Sequence, residues 1–248
     1  MAWGFLRRGG KVDSMTAKYR TISRGITRRE CLMALGAGFG VLVVEGPLFA
    51  QSQALRIYLG RHGESEANAA KTVAGWTDSP LTAKGRQQAH DLAELLKGLR
   101  LDAVYSSTLS RSRETAEIAS GGTRVQSLPA LRERNLGKFE RGPTDAADYL
   151  KRRFIEDDNL DGVETPAQFL ERVRGAITEI VKRHSAGAVL IVGHGYTNQK
   201  ILQSLFNLTS EQANAIAQDN DEVYSIDLVA GQPPRLWKLI REKNLSDL

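Results

Sequence analysis

Two short segments of this chain place a histidine followed by glycine directly after an apolar run. They are Gly60-Arg61-His62-Gly63-Glu64 after Leu55–Leu59, and Gly193-His194-Gly195 after Val189–Val192. A single His-Gly reads as an ordinary turn. Two of them, using half of the four histidines, at what would be the carboxyl ends of strands, point to a shared site, because open α/β sheets bind ligands at that edge. The chemistry these residue types suit is phosphoryl transfer. It requires a nucleophile, cations around the phosphate oxygens and an acid for the leaving oxygen. A neutral imidazole, here His62, can attack phosphorus in line, and Arg61 beside it offers a planar donor fork to the phosphate oxygens. The second clamp is Arg111, near the start of a helical segment that follows Tyr105-Ser106-Ser107, with Arg113 as the alternative on a different helix face. Glu133, in Leu131-Arg132-Glu133-Arg134-Asn135-Leu136-Gly137, is the candidate general acid, and that role needs a raised pKa. Its other reading is a solvated carboxylate among arginines.

These residues need a scaffold that brings distant segments together. From Leu55 onward, short apolar runs alternate with longer helical patterns, the signature of an α/β sheet with helices on both faces. Strands are expected at Leu55–Leu59, Ala103–Ser106, Val189–Val192, Val223–Leu228 and Leu236–Ile240. Helices are expected at Thr82–Leu99, Leu109–Ala119, Pro166–His184 and Thr197–Leu205. Thr82 and Thr165 stand where an N-cap is wanted, and Pro166 suits a first helical turn. The stretch Gly137–Gly162 lacks clean periodicity and reads as an excursion over the sheet edge, a candidate lid. His90 and His184 read as helix residues, the latter suiting a helix C-terminus as a cation. Trp76 reads as packing rather than substrate stacking. Lys151-Arg152-Arg153 reads as a solvated face, with recruitment of an anionic substrate as the lesser option.

The motifs together resemble the histidine phosphatase superfamily, the phosphoglycerate-mutase-like group, over residues 55 to 245. Arg61-His62-Gly63-Glu64 with Asn68 resembles its phosphohistidine motif, and Gly75-Trp76-Thr77-Asp78-Ser79-Pro80-Leu81-Thr82 with Gly85 its next element. Tyr105-Ser106-Ser107, Leu109-Ser110-Arg111 and Thr115-Ala116 are similar to the segment with the second arginine. Leu131–Gly137 and Val192–Gly195 are similar to those with the acid and the second histidine. The resemblance implies a three-layer α/β/α sandwich around a mostly parallel sheet. It also implies that His62 accepts phosphate, that Arg61, Arg111 and His194 hold it, that Glu133 donates a proton, and that Asn68, Gly75 and Gly195 add phosphate or substrate contacts. No cofactor and no metal are implied, and no metal-ligand spacing is visible. Two departures favour hydrolysis over mutase chemistry. Tyr196 stands where mutases of this group have asparagine, and the interval from Glu133 to His194 is shorter than theirs, leaving a pocket more open to water. Arg141 reads as an extra residue in a segment the family keeps tight.

Charge narrows the partners. The net charge of +5 lies wholly in residues 1 to 50, which hold 8 Lys/Arg against 3 Asp/Glu. Subtracting these from the totals of 34 and 29 leaves 26 of each, so residues 51 to 248 are neutral overall and lack the basic footprint that nucleic acid requires. The expected partner is a small phosphorylated substrate; oligomeric state is not legible. Residues 1–50 run from a basic stretch through Arg28-Arg29 into the uncharged segment Cys31–Val44, too short to span a bilayer, an order resembling a twin-arginine export signal. Cleavage near Ala50 would release a domain of residues 51–248 to the periplasm, whereas an uncleaved segment would anchor it to the membrane, the one membrane contact expected. Met15 is an alternative start. The single cysteine, Cys31, lies in that segment, so the remainder has neither a disulfide nor a thiol nucleophile. Two rivals to a phosphatase remain: a phosphoglycerate mutase, and an exported anion-binding module without turnover.

Overall fold

The structure is a computed structural model and describes residues 54–153, 155 and 162–240. The proposed signal over residues 1–50 lies outside the described residues. Thirteen named elements follow in order: β1 (Ala54–Arg61), α1 (Glu66–Ala69), α2 (Ala83–Leu95), β2 (Ala103–Ser106), α3 (Ser110–Ala119), β3 (Val125–Ser127), α4 (Ala147–Arg152), α5 (Pro166–Arg183), β4 (Gly187–Gly193), α6 (Gly195–Phe206), α7 (Ser210–Asn214), β5 (Glu222–Val229) and β6 (Arg235–Ile240). The strands form one sheet in the order β3-β2-β4-β1-β5-β6. The pairs β3–β2, β2–β4 and β4–β1 are parallel, while β1–β5 and β5–β6 are antiparallel. The α/β sheet with helices on both faces expected from the alternating pattern, and the mostly parallel sandwich that the resemblance implied, are the observed fold.

Alternation along the strands builds the two cores. In β1, Leu55, Ile57 and Leu59 point to one face and pack with Phe169, Val173, Ile177 and Ile180 of α5 and with Ile201 and Leu202 of α6. Tyr58 points to the other face, joining Val104, Leu190 and Val192 against Leu92 and Leu96, in and just after α2, and Ala116 and Ala119 of α3. The central strands are therefore covered on both sides, which is why they read as continuous apolar runs. Burying each such aliphatic side chain contributes about 1.5–3 kcal/mol.

The helix starts follow the expected caps. Thr82 accepts from the Gly85 N–H at the start of α2, and Thr165 with Gln168 closes a capping box ahead of Pro166 in α5. Helix α2 stops at Leu95 rather than Leu99, short of Gly98, whose φ of 81° ends the turn. Helix α6 starts two residues earlier than expected, at Gly195, with His194 in the extended N-cap position.

The described part of the excursion Gly137–Gly162, with Leu136 just before it, is not a detached flap. Its Leu136 and Tyr149 pack on Val73, and its backbone pairs with the loop after α1 through Arg141 N–H to the Val73 carbonyl and Val73 N–H to the Gly142 carbonyl. Arg141 takes a φ of 69°, a local left-handed kink in this stretch.

Candidate active site

The strand register brings the two histidines together. Arg61 of β1 pairs with Gly193 of β4, and Ser106 of β2 pairs with Val192, so His62, His194 and Ser107 leave adjacent strands at the same edge. The His62 N–H donates to the Gly193 carbonyl at 3.1 Å, and the two imidazole rings lie 5.0 Å apart at 59°. Both side chains are buried.

His62 has a forced protonation pattern. Its Nδ1 lies 2.7 Å from the Gly63 carbonyl oxygen, which can only accept, so Nδ1 carries a proton. Burial, and then the charges of Arg111 and Arg61, hold the ring's pKa well below the usual histidine range. The imidazole is neutral near pH 7 and its Nε2 lone pair is available as a nucleophile. The loop that carries it is tight: the Gly63 N–H donates to Thr115 Oγ1 at 3.0 Å, and a Cβ on Gly63 would lie 2.2 Å from the Gly85 carbonyl oxygen. Glycine at 63 thus serves loop-to-helix packing.

Each arginine is held by carbonyls on part of its guanidinium. Arg111 is 1% exposed; its two terminal nitrogens donate to the Thr77 carbonyl at 3.1 Å and the Gly75 carbonyl at 2.8 Å. Arg61 donates through one terminal nitrogen to the Gln218 carbonyl at 2.7 Å. The Nε of each is buried with no protein partner, and so is His194 Nδ1. Burial pulls both guanidinium pKa values down, opposed first by Glu133 in each case. The carbonyls holding Arg111 belong to a turn that Glu140 clamps by accepting from the Trp76 N–H, the Thr77 N–H and the Thr77 hydroxyl at 2.7 to 2.8 Å. Gly75 has a φ of 51°, and a Cβ there would strike the Glu140 carboxylate, which explains glycine at that position.

Glu133 faces the same space. Its carboxylate accepts from the Arg134 N–H at 2.9 Å and from the Tyr196 N–H, at the start of α6, at 3.2 Å. Burial raises its pKa against those bonds and the charges of Arg111 and Arg61. A Cβ built on Gly195 would lie 4.0 Å from both Arg61 Nε and Glu133 Oε2, so both side chains come close to that glycine. Asn68 uses its Oδ1 to cap α1 through the Ser65 N–H, leaving its amide nitrogen for a ligand.

Arg61, His62, Asn68, Gly75, Arg111, Glu133 and Gly195 all line one cavity of about 370 Å³, whose outer wall includes Tyr149, Tyr196, Gln199 and Asp219. The sequence pattern of the histidine phosphatase superfamily (branch 1) matches residues 57–239. The chain belongs to the histidine phosphatase superfamily. The "Probable phosphoglycerate mutase GpmB" of Enterobacter sp. (strain 638) is 30% identical over 70% of this chain and 85% of its own length. Two solved structures are similar. YhfR of Bacillus stearothermophilus has a TM-score of 0.63 at 32% identity over 71% of this chain and 93% of its own. The alpha-ribazole phosphatase of Shigella flexneri has a TM-score of 0.62 at 25% identity over 71% and 91%.

The other residues singled out in the sequence take these places. Trp76 packs against protein groups, as expected, while staying 37% exposed: its Nε1 donates to the Glu133 carbonyl at 2.6 Å, and Arg132 stacks on its ring. His184 is the C-cap residue of α5, as its place near the helix end suggested, and its Nε2 lies 2.8 Å from the Tyr105 hydroxyl oxygen. Of the basic run, Lys151 is exposed and Arg152 lies over the Phe139 ring, but Arg153 lines the cavity. Arg113, the alternative clamp, pairs with Glu117 on the surface. Sequence reasoning missed Gln218, which is buried and holds both Arg61 and Asn198, and Ser107, which meets His194. Neither carries a local signal beyond a polar residue next to an apolar run.

Proposed function

We propose that the chain is a phosphomonoesterase acting through a phosphohistidine on His62. The observation that carries this reading is a cavity lined by His62, Arg61, Arg111 and Glu133, in which the His62 imidazole is neutral with Nε2 unprotonated, and beside which the Nε of both arginines and His194 Nδ1 are buried without protein partners. Buried donors left unpaired are costly, and a phosphate group supplies the missing acceptors. In the first step Nε2 forms a bond to phosphorus, the ester P–O bond breaks, and Glu133 gives its proton to the leaving oxygen. In the second, water attacks phosphorus as Glu133 takes the water's proton and the P–N bond breaks, releasing inorganic phosphate. The raised pKa of Glu133 suits both roles. Hydrolysis rather than transfer to a second hydroxyl is supported by the open cavity and by Tyr196 at its wall. The alternative, a mutase, draws on what the Enterobacter relative is named.

The cavity's size suits a small phosphoester, and we take residues 1–50 as an export signal that delivers residues 51–248 to the periplasm. N-terminal sequencing of the exported form tests the latter, since retention of Arg28-Arg29 contradicts cleavage. For the activity, the full chain is assayed on p-nitrophenyl phosphate and a panel of natural phosphoesters with a chelator present, beside His62→Ala. Turnover that survives the chelator and vanishes in the variant supports the reading. Isomerisation of phosphoglycerate without net phosphate release would replace it with mutase chemistry.

A further inference from the structure

We infer that Ser107 sets the tautomer of His194, so that Nδ1 carries the imidazole proton and offers it to the phosphoryl group. The inference rests on the phosphohistidine reading above and adds a positioning residue to it. Ser107 and His194 are both fully buried, and Ser107 Oγ lies 2.7 Å from His194 Nε2. The same Oγ accepts the Leu109 N–H at 3.2 Å. The serine itself is fixed, because its N–H donates to Ser112 Oγ at 3.0 Å, and Ser112 donates in turn to the Val192 carbonyl at 2.7 Å.

Hydrogen-bond accounting then decides the direction of the Ser107–His194 bond. A hydroxyl has one proton to give and two lone pairs. Where Ser107 donates to Nε2, the neutral ring's proton sits on Nδ1, and that N–H is the one group without a partner. Where Nε2–H donates to Ser107 instead, the hydroxyl proton and the Nδ1 lone pair are both stranded in the interior. Buried groups avoid being left unpaired, so the first arrangement is favoured. It also matches the surroundings: Nδ1 is the buried, unpartnered atom of a ring set among Arg111, His62 and Arg61. An N–H there attracts a phosphate oxygen, whereas a lone pair would repel it. Burial keeps the ring neutral, so the tautomer, and not a positive charge, decides what His194 presents.

The test uses the ¹⁵N-labelled full chain. Long-range ¹⁵N–¹H correlation spectra, with His194 assigned by its loss in His194→Ala, should show a protonated Nδ1 and an unprotonated Nε2. Ser107→Ala should weaken inorganic phosphate binding and lower kcat/KM by about 10-fold, the scale of one lost hydrogen bond. It should add nothing further in a His194→Ala background, which a general loss of packing would not achieve. A protonated Nε2 in the wild type overturns the inference, as does a Ser107→Ala effect within about twofold or one equally large without His194. The spectra and phosphate binding need no turnover, so they stand even where the hydrolase reading fails.

Discussion

Arg61 and Gly193 are paired across β1 and β4, and this one register contact is why His62 and His194, 132 residues apart in the chain, meet ring to ring at 5.0 Å. A one-residue slip would send either histidine to the other face of the sheet. The two histidines are therefore placed by the most buried part of the fold.

That placement gives the first prediction. His62→Ala should lower kcat/KM by roughly a thousandfold or more, because it removes the group proposed to take the phosphate. His194→Ala should retain more activity, about 10²-fold below wild type, as expected for loss of one oxyanion donor. Phosphate release from the two variants, assayed side by side, checks the ranking.

The fold and the histidines were legible in the sequence because each histidine follows an apolar run that alternates with helices. Arg111 and Glu133 could be named from the sequence but not positioned, since their partners are distant: Arg111 rests on the Gly75 and Thr77 carbonyls, and Glu133 on the Tyr196 N–H. β3 escaped notice because it is only three residues long and half-exposed. The antiparallel direction of β5 and β6 carries no local sign in their composition. Gln218 was invisible for the same reason as Ser107: a buried polar residue is recognised by what it bonds to, and its bonds to Leu59 and Asn198 cross the fold.

Activity should fall away from an acid-side optimum. Glu133 must be protonated to serve the leaving group, and its pKa is raised, so rate is retained above the usual carboxylate pKa and lost as pH rises through the raised value. His62 must be neutral, and its pKa is depressed, so rate persists below the usual histidine range and falls only further down. Glu133→Gln should abolish the alkaline limb of the kcat/KM profile for substrates with poor leaving groups while leaving the acid limb in place.

Stability should carry the same signature with the opposite partner. His62 and His194 both have depressed folded pKa values, so the unfolded chain binds more protons below the ordinary histidine pKa, and stability drops as pH falls through that window. His62→Ala should flatten that drop in denaturant titrations across pH 4 to 7; an unchanged slope would contradict a buried neutral ring.

Gly75→Ala should cost about 1–3 kcal/mol in stability, since it strains a φ of 51° and drives a Cβ into Glu140. It should also weaken phosphate binding, because the displaced carbonyl is one that holds Arg111. Arg111→Lys should weaken phosphate binding by about 10²-fold, as a single ammonium nitrogen lacks the planar fork that reaches both carbonyls while Nε is held apart from them. Thermal melts and phosphate titrations of both variants check these outcomes.

The most direct test of the central claim is to catch the intermediate. The full chain is mixed with p-nitrophenyl phosphate, quenched in base within the first turnovers, digested and mapped by mass spectrometry, with Glu133→Gln run in parallel. A phosphate on Nε2 of His62, more abundant in Glu133→Gln because water is activated poorly there, is the predicted result. Steady turnover with no phosphate on His62 in either protein would contradict the account.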